Sequence, residues 1–320
     1  LEYESFLQTG DERFEWIRPD DEWQAISLNY TSGTTGNPKG VLVTHQNFIN
    51  FLIDMTDRFS VTDQDKVLSL TNYTFDISML ELFLPLINKA QIILSETNDK
   101  RYIDILMDTI KEKKPTIIQA TPATWKMLFQ ANLQLKTKTI LLCGGERLPK
   151  ELASKFININ QKAYNMYGPT ETTIWSTCAE IKNEQITIGK PISNTKILIL
   201  DQNLNPVDID EEGTIWISGD GVTAGYLNNT ELTAKSFLKN PYFPTERMYN
   251  TADIGKWTVD GNIVCLGRSD NQIKIRGIRI ECEEIENHLK THEKISDAVV
   301  ITSDNTLNKT LIAFIKIHNY

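Results

Sequence analysis

Apolar residues recur along this chain at two periods, and the dominant period changes twice. From Lys66 onward, KVLSL, QIILS, TIIQA, TILLCGG and AYNMYG have the length of buried strands. Between them lie ISMLELFLPLI, YIDILMDTIKEKK, PATWKMLFQ and LPKELASKFI, whose apolar residues fall three and four apart. Such alternation predicts parallel strands joined by crossover helices, with ligand-binding groups at the carboxyl ends of the strands. From about Thr187, short strands with Gly, Asn and Asp turns take over (KILILD, GTIWISG, GNIVCLG) and predict an antiparallel, barrel-like layer. After GRSDNQIKIRG, a helix in CEEIENHLK and strands in DAVVIT and TLIAFIKI predict the start of a small α+β unit. The expected class is α/β: a parallel-sheet α/β subdomain over 1–186, a β-barrel-like subdomain over 187–269, and a truncated α+β C-terminal subdomain over 270–320.

Composition narrows the chemistry. At 320 residues and 40% hydrophobic, the chain can bury a large core and form more than one domain. A net charge of -9 without any basic block argues against a nucleic-acid partner. The most apolar run is interrupted by Glu81 and is shorter than the about 20 residues of a membrane span, so no membrane partner is expected. Cys143, Cys178, Cys265 and Cys282 lie far apart without a CxxC pair, which argues against a zinc site or disulfide framework and for a reducing cytoplasm. His45, His288, His292 and His318 are equally scattered; His288 and His292 would share a helix face but lack partners for a metal set, and read as surface residues. A start at Leu1 without methionine or signal peptide, and an end inside the strand-like IKIHNY, give the expectation of a piece of a longer protein.

The stretch LNYTSGTTGNPKGVLVTH, Leu28 to His45, carries the first chemistry. Gly33, Gly36 and Gly40 allow close backbone approach, Thr31, Ser32, Thr34 and Thr35 add hydroxyl donors, and Lys39 adds positive charge. Together these suit a phosphate. Pro38 before Lys39, with Gly40 and Val41 after it, departs from the Walker A pattern. A flexible linker would explain neither the lone lysine nor the strand-like flanks AISLNY and GVLVTH.

Four further motifs follow in order: YNMYGPTETT, GTIWISGDGVTAGYL, YNTADIG and GRSDNQIKIRGIRIECEEIE. With the opening loop they resemble the adenylate-forming superfamily, and within it the adenylation domains of nonribosomal peptide synthetases, over about Asp21 to Ile315. The resemblance implies that a carboxylic acid attacks the α-phosphate of ATP, giving an acyl-adenylate and pyrophosphate, before a thiol takes the acyl group. That thiol would be phosphopantetheine on a carrier protein, with neighbouring synthetase modules as further partners. Thr31 to Thr35, Gly36 and Lys39 would then hold the β- and γ-phosphates.

In-line attack on a polyanion needs its charge offset, so Glu171 is the candidate Mg²⁺ ligand, with Thr170 beside the α-phosphate and Lys39 completing the reacting set; helix capping is the other reading of Glu171. By resemblance, Gly144, Gly145 and Glu146, with Asn165, Met166, Tyr167 and Gly168, would frame the adenine, and Tyr167 would stack on it. Asp253 would bind the ribose hydroxyls and Arg268 would contact the ribose, a surface salt bridge being the alternative for both. Asp270 matches the hinge about which the family's small mobile C-terminal subdomain rotates. Lys274, Arg276 and Arg279 would face the active site after that rotation, or else form a solvated strand edge.

Asp76 stands between Phe75 and Ile77 at the start of a largely apolar segment, where an unpaired carboxylate costs several kcal/mol unless it caps the helix. In amino-acid-activating relatives this aspartate pairs with the substrate's α-ammonium. The matching pocket positions are Asp76, Ile77, Leu80, Gln119, Leu141, Cys143, Met166, Ile174 and Trp175. Most are bulky, and Trp175 would fill the floor, so a small side chain is expected: glycine, then alanine, a set that resembles the family's glycine pattern except at Cys143.

Asn250 and Ala252 in YNTAD stand where arginine and glycine are usual, and Cys265 stands where tyrosine is common. The opening EWIRPDDEWQAISLNYTSGTTG is more similar to free-standing acyl-CoA synthetases, which keeps ligation of a small or medium carboxylic acid to coenzyme A as the alternative; a noncatalytic ligand-binding remnant is a third. The family's catalytic lysine would lie beyond Tyr320, so the chain alone is expected to be weakly active or inactive.

Overall fold

A computed structural model describes residues 25–31, 39–95, 102–270, 272–275, 278–303 and 310–318. Both flanks of the glycine-rich loop are strands. β1 (Ala25–Thr31) and β2 (Lys39–Thr44) pair antiparallel, with Thr31 opposite Lys39. The other edge of β2 bonds to segment 224–227 through Leu42 N to Gly225 O at 2.9 Å and Leu227 N to Gly40 O at 2.8 Å. Lys39 therefore stands at the head of a strand bonded on both edges. Thr44 ends it and caps α1 (His45–Phe59): its hydroxyl accepts from Asn47 N while Asn47 Oδ1 accepts from Thr44 N.

The main sheet has seven strands in the order β4-β3-β5-β6-β7-β8-β9. Five are parallel: β3 (Lys66–Ser69), β4 (Gln91–Leu94), β5 (Ile117–Ala120), β6 (Ile140–Gly144) and β7 (Lys162–Tyr167). The last two, β8 (Thr177–Glu180) and β9 (Lys190–Pro191), run antiparallel to their neighbours. Crossovers carry helices α2 (Ser78–Ile87), α3 (Tyr102–Lys113), α4 (Pro122–Gln130) and α5 (Lys150–Asn158). Alternate strand residues point to opposite faces. Val67, Ile117 and Leu142 join Phe51, Met55, Leu80 and Leu84 in one core, whereas Leu68, Ile118 and Leu141 join Leu106, Trp125 and Phe156 in the other. Burial on both faces explains why these strands read as continuous apolar runs.

The second layer is antiparallel, as its turn-rich sequence predicts, but open. β10 (Thr195–Leu200), β11 (Gly213–Gly219), β13 (Arg247–Trp257) and β12 (Phe237–Lys239) follow in that order, with β14 (Ile263–Arg268) also on β13, and no closed barrel forms among the described residues. α6 (Thr230–Ser236) leads into β12. Against β11, β13 bulges: Asn250 to Ile254 spans only Trp216 to Thr214. The remaining elements are the hairpin β15 (Gln272–Ile275) and β16 (Ile278–Glu281), then α7 (Cys282–Lys290), then the pair β17 (Ile295–Thr302) and β18 (Leu311–Ile317). His292 falls beyond the end of α7, so it shares no helix face with His288; both are exposed. All four cysteines are free, and no helix among the described residues is long and apolar enough to cross a membrane.

Candidate active site

The chain reverses after β7, and this turn gathers much of the site. Thr170–Thr172 form one turn of 3-10 helix, after which Thr173 (φ 63°) and Ile174 (φ 68°) both adopt left-handed backbone. β-branched residues rarely do so, and such strain concentrates at functional sites. Side chains hold the turn: Thr173 Oγ1 donates to Gly221 O at 2.8 Å, and the Thr172 and Ser176 hydroxyls lie 2.7 Å apart. Gly168 permits the packing, since a methyl there would lie 2.5 Å from Ile174 O.

Thr170 Oγ1 donates to Asp76 Oδ2 at 2.7 Å. Asp76 does not occupy the cap position of α2, which is Ile77, and no side chain caps that helix. Next to Thr170, Glu171 is fully buried and its Oε1 accepts from the Tyr226 hydroxyl at 2.8 Å. The buried Lys39 ammonium lies 5.1 Å from the Tyr226 ring centroid. Lys39, Tyr226 and Glu171 thus form one layer, with Thr170 and Asp76 adjoining through the turn. A carboxylate, hydroxyls and an ammonium suit an oxygen-rich anion and a hard cation. No group of three or more His, Cys, Asp or Glu able to hold a metal occurs among the described residues; of the residues in this layer, the Glu171 carboxylate is the one whose chemistry suits Mg²⁺. Bound there, Mg²⁺ would offset phosphate charge.

The other side of the turn builds a wall. Ile174 and Trp175 pack in one core with Met166, Leu80 and the partly buried Ile77. A methyl at Gly144 would lie 2.6 Å from Trp175 Cη2 and 2.9 Å from Met166 O, so only glycine admits the indole here. Trp175 Nε1 donates to Gln119 Oε1 at 2.9 Å, and Gln119 Nε2 donates to Ile77 O at 2.8 Å and Glu81 Oε1 at 2.9 Å. Glu81 also accepts from Thr71 Oγ1 at 2.5 Å and from the Leu70 and Thr71 amides, each at 2.9 Å. Burial raises the pKa of this carboxyl while its donors pull the other way. Leu141 and Cys143 lie apart from this wall, in the core on the opposite sheet face, and burial pushes the Cys143 thiol well up.

A third cluster lies on the bulge of β13. Asp253 Oδ2 accepts from the Tyr167 hydroxyl at 2.6 Å, and Asp253 Oδ1 from Arg268 Nη1 at 3.0 Å. Arg268 also donates through Nε (2.6 Å) and Nη2 (2.7 Å) to the two oxygens of Asp270. Burial, with the adjacent Asp253 charge, lifts the Tyr167 hydroxyl pKa well above its ordinary value. Gly144 ends β6, Gly145 follows with φ 88°, and Glu146 is half-buried beside them. Asn165 turns its amide to Thr187 O at 2.7 Å, tying β7 to the approach to β9.

Ser32, Gly33, Thr34, Thr35, Gly36 and Arg276 lie outside the described residues, as do the side chains of Thr31, Lys274 and Arg279. Two residues escaped the sequence reading. Tyr226 sits inside GTIWISGDGVTAGYL, and Glu81 is the charge that interrupts the apolar α2; each left a trace in the pattern without a partner to give it meaning.

The AMP-binding enzyme family matches residues 2–227. Over 308 residues the chain is 40% identical to a dimodular nonribosomal peptide synthase of Bacillus subtilis (strain 168), a match covering 93% of this chain and 13% of that protein. Identity to bacitracin synthase 1 of Bacillus licheniformis is 37% over 301 residues, covering 92% of this chain and 6% of that protein. The crystal structure of a four-domain nonribosomal peptide synthetase bound to AMP and glycine superposes with a TM-score of 0.72 at 38% identity, covering 92% of this chain and 22% of that one. The chain spans a small fraction of these relatives' lengths.

Proposed function

Because the chain belongs to the AMP-binding enzyme family, we propose that it activates a small amino acid, glycine first and alanine second, as the aminoacyl-adenylate. The acyl group would then pass to the phosphopantetheine thiol of a carrier protein in nonribosomal peptide synthesis, in the cytoplasm. The observation that carries this reading is the Thr170–Asp76 hydrogen bond, which ties a carboxylate at the pocket to the turn bearing Glu171. Asp76 would pair with the α-ammonium and direct the substrate carboxylate toward the α-phosphate. Attack there forms the acyl-phosphate bond and breaks the α–β bridge, releasing pyrophosphate. Lys39 and the glycine-rich loop would offset the charge of the leaving phosphates, Glu171 would hold Mg²⁺ beside them, and Tyr167, Asp253 and Arg268 would receive the nucleoside.

The indole against Gly144 supports a small side chain, and the relative bound to AMP and glycine supports the same choice. In domain terms, residues 1–186 and 187–269 would form the larger body, and 270–320 would begin the mobile part at Asp270.

Calorimetric titration of the chain with stable acyl-sulfamoyl adenosines tests this without requiring turnover. Glycyl-sulfamoyl adenosine should bind at least about tenfold more tightly than its acetyl counterpart, which lacks only the amino group. Asp76→Ala should erase that difference. Equal binding of the two ligands by the unaltered chain would overturn the assignment and favour an acid without an amino group.

A further inference from the structure

Glu81 belongs to none of the pocket positions, yet it decides how one of them must point. Its carboxylate only accepts, and four donors converge on it: Gln119 Nε2, Thr71 Oγ1 and the amides of Leu70 and Thr71. Ile77 O also only accepts, and it takes the same Gln119 nitrogen at 2.8 Å. Trp175 Nε1 only donates. Three partners thus agree on one orientation of the Gln119 amide, with nitrogen toward Glu81 and Ile77 and oxygen toward the indole. The oxygen fixes the ring, and the ring stands where Gly144 leaves space.

We propose that Glu81 is a specificity-determining positioning residue: its carboxylate sets the polarity of Gln119 and thereby holds Trp175 as the wall that keeps larger side chains out. The inference rests on the small-amino-acid reading above and adds to it a residue that need not touch substrate. Its other hydrogen bonds reach the end of β3, where the chain sets out toward Asp76, so one carboxylate ties the ammonium-binding side of the pocket to its closed side.

Glu81→Gln changes almost no volume but turns one acceptor into a donor. Directed at Leu70 and Thr71, the new amide nitrogen meets two donors. Directed at Gln119, it forces that amide to turn over, setting oxygen against Ile77 O and nitrogen against the indole N–H. The first arrangement leaves Gln119 in place but sets an amide nitrogen against two backbone donors that cannot turn, so the second, in which Trp175 loses its fixed partner, is the one expected.

The test measures the affinities of AMP, glycyl-sulfamoyl adenosine and leucyl-sulfamoyl adenosine for the full chain by calorimetry. Glu81→Gln should leave AMP affinity within about twofold and shrink the glycyl-over-leucyl preference by about tenfold or more. Trp175→Phe, which keeps a ring without its donor, should shrink it similarly. The double variant should add no more than about twofold, because both changes cut one relay. If Glu81→Gln does not fold, Gln119→Met cuts the relay while sparing the Leu70 and Thr71 bonds and should cause the same loss. A preference retained in either variant, or effects that multiply in the double variant, overturn the proposal. Absence of a glycyl preference in the unaltered chain overturns the amino-acid reading as well, so the two failures are distinguishable.

Discussion

Arg268 holds Asp270 with two nitrogens of one guanidinium, Nε at 2.6 Å and Nη2 at 2.7 Å. Its remaining nitrogen reaches Asp253 at 3.0 Å, so a single side chain joins the β13 bulge to the segment leading into β15. Lysine presents one ammonium and cannot satisfy both carboxylates in this geometry. In Arg268→Lys, hydrogen exchange at the Ser269 and Gln272 amides should quicken about fivefold or more, since the first bonds to Ala252 O and the second to Asp270 Oδ1. Unchanged exchange there would show that the fork does not restrain this segment.

Asp253 accepts from Tyr167 at one oxygen and Arg268 at the other, and a ribose diol would have to share or displace these donors. Asp253→Ala should weaken AMP binding about tenfold or more, a charge-assisted pair of bonds being lost. Tyr167→Phe, which keeps the ring and releases one oxygen, should stay within about threefold. Calorimetry with AMP reads both, and equal losses would place the recognition in the tyrosine hydroxyl.

Asp54 gives the fold an acid-sensitive lock. Burial pushes its carboxyl up, but the Arg58 guanidinium at 2.7 and 2.9 Å and the Ser193 N–H and hydroxyl, each at 2.8 Å, outweigh burial and hold it below the ordinary carboxylate value. A depressed folded-state pKa contributes stability above the unfolded value of about 4 and loses it as pH falls through the folded value. Asp54→Asn should therefore cost about 2 kcal/mol at neutral pH, with the gap to the parent narrowing in acid. Urea unfolding across that range measures the gap, and a gap constant in pH would remove the carboxylate's charge from the account.

Ala252 has φ 57°, held by Asn250 Oδ1 on its N–H and by the Ser269 N–H and hydroxyl on its carbonyl. This alanine stands where glycine is usual, and its left-handed backbone at the bulge gives the reason glycine suits the position. Ala252→Gly should raise stability by about 1 kcal/mol, the relief of a left-handed side-chain contact less the extra unfolded-state freedom. A melting temperature equal to or below the parent's would refute it.

Patterning made the main sheet legible because strands buried on both faces appear as unbroken apolar runs, as KVLS and ILLCG do. CEEIENHLK became the helix its spacing predicts. α1 is announced by Thr44, Asn47 and the Phe48, Phe51, Leu52, Met55 spacing, a signal overshadowed by the glycine-rich loop just before it. The antiparallel layer was legible as strands, but closure depends on pairing between distant segments, and the layer stays open. Glu81, Tyr226 and Asp54 were opaque for one shared reason: a buried polar side chain acquires meaning only from a partner distant in sequence, and Gln119, Glu171 and Ser193 are such partners.

The reversal between β7 and β8 has an evolutionary consequence. Thr170, Glu171, Ile174 and Trp175 hang from one strained turn, so an exchange of wall residues pulls on the backbone that presents Glu171 to Tyr226. Single-residue grafts at Ile174 or Trp175 carry a hidden load into the charged layer beyond. Grafts that move the turn whole, with the glycine that seats its indole, carry their own alignment with them. In the proposed pocket, the unit of exchange is a loop rather than a residue.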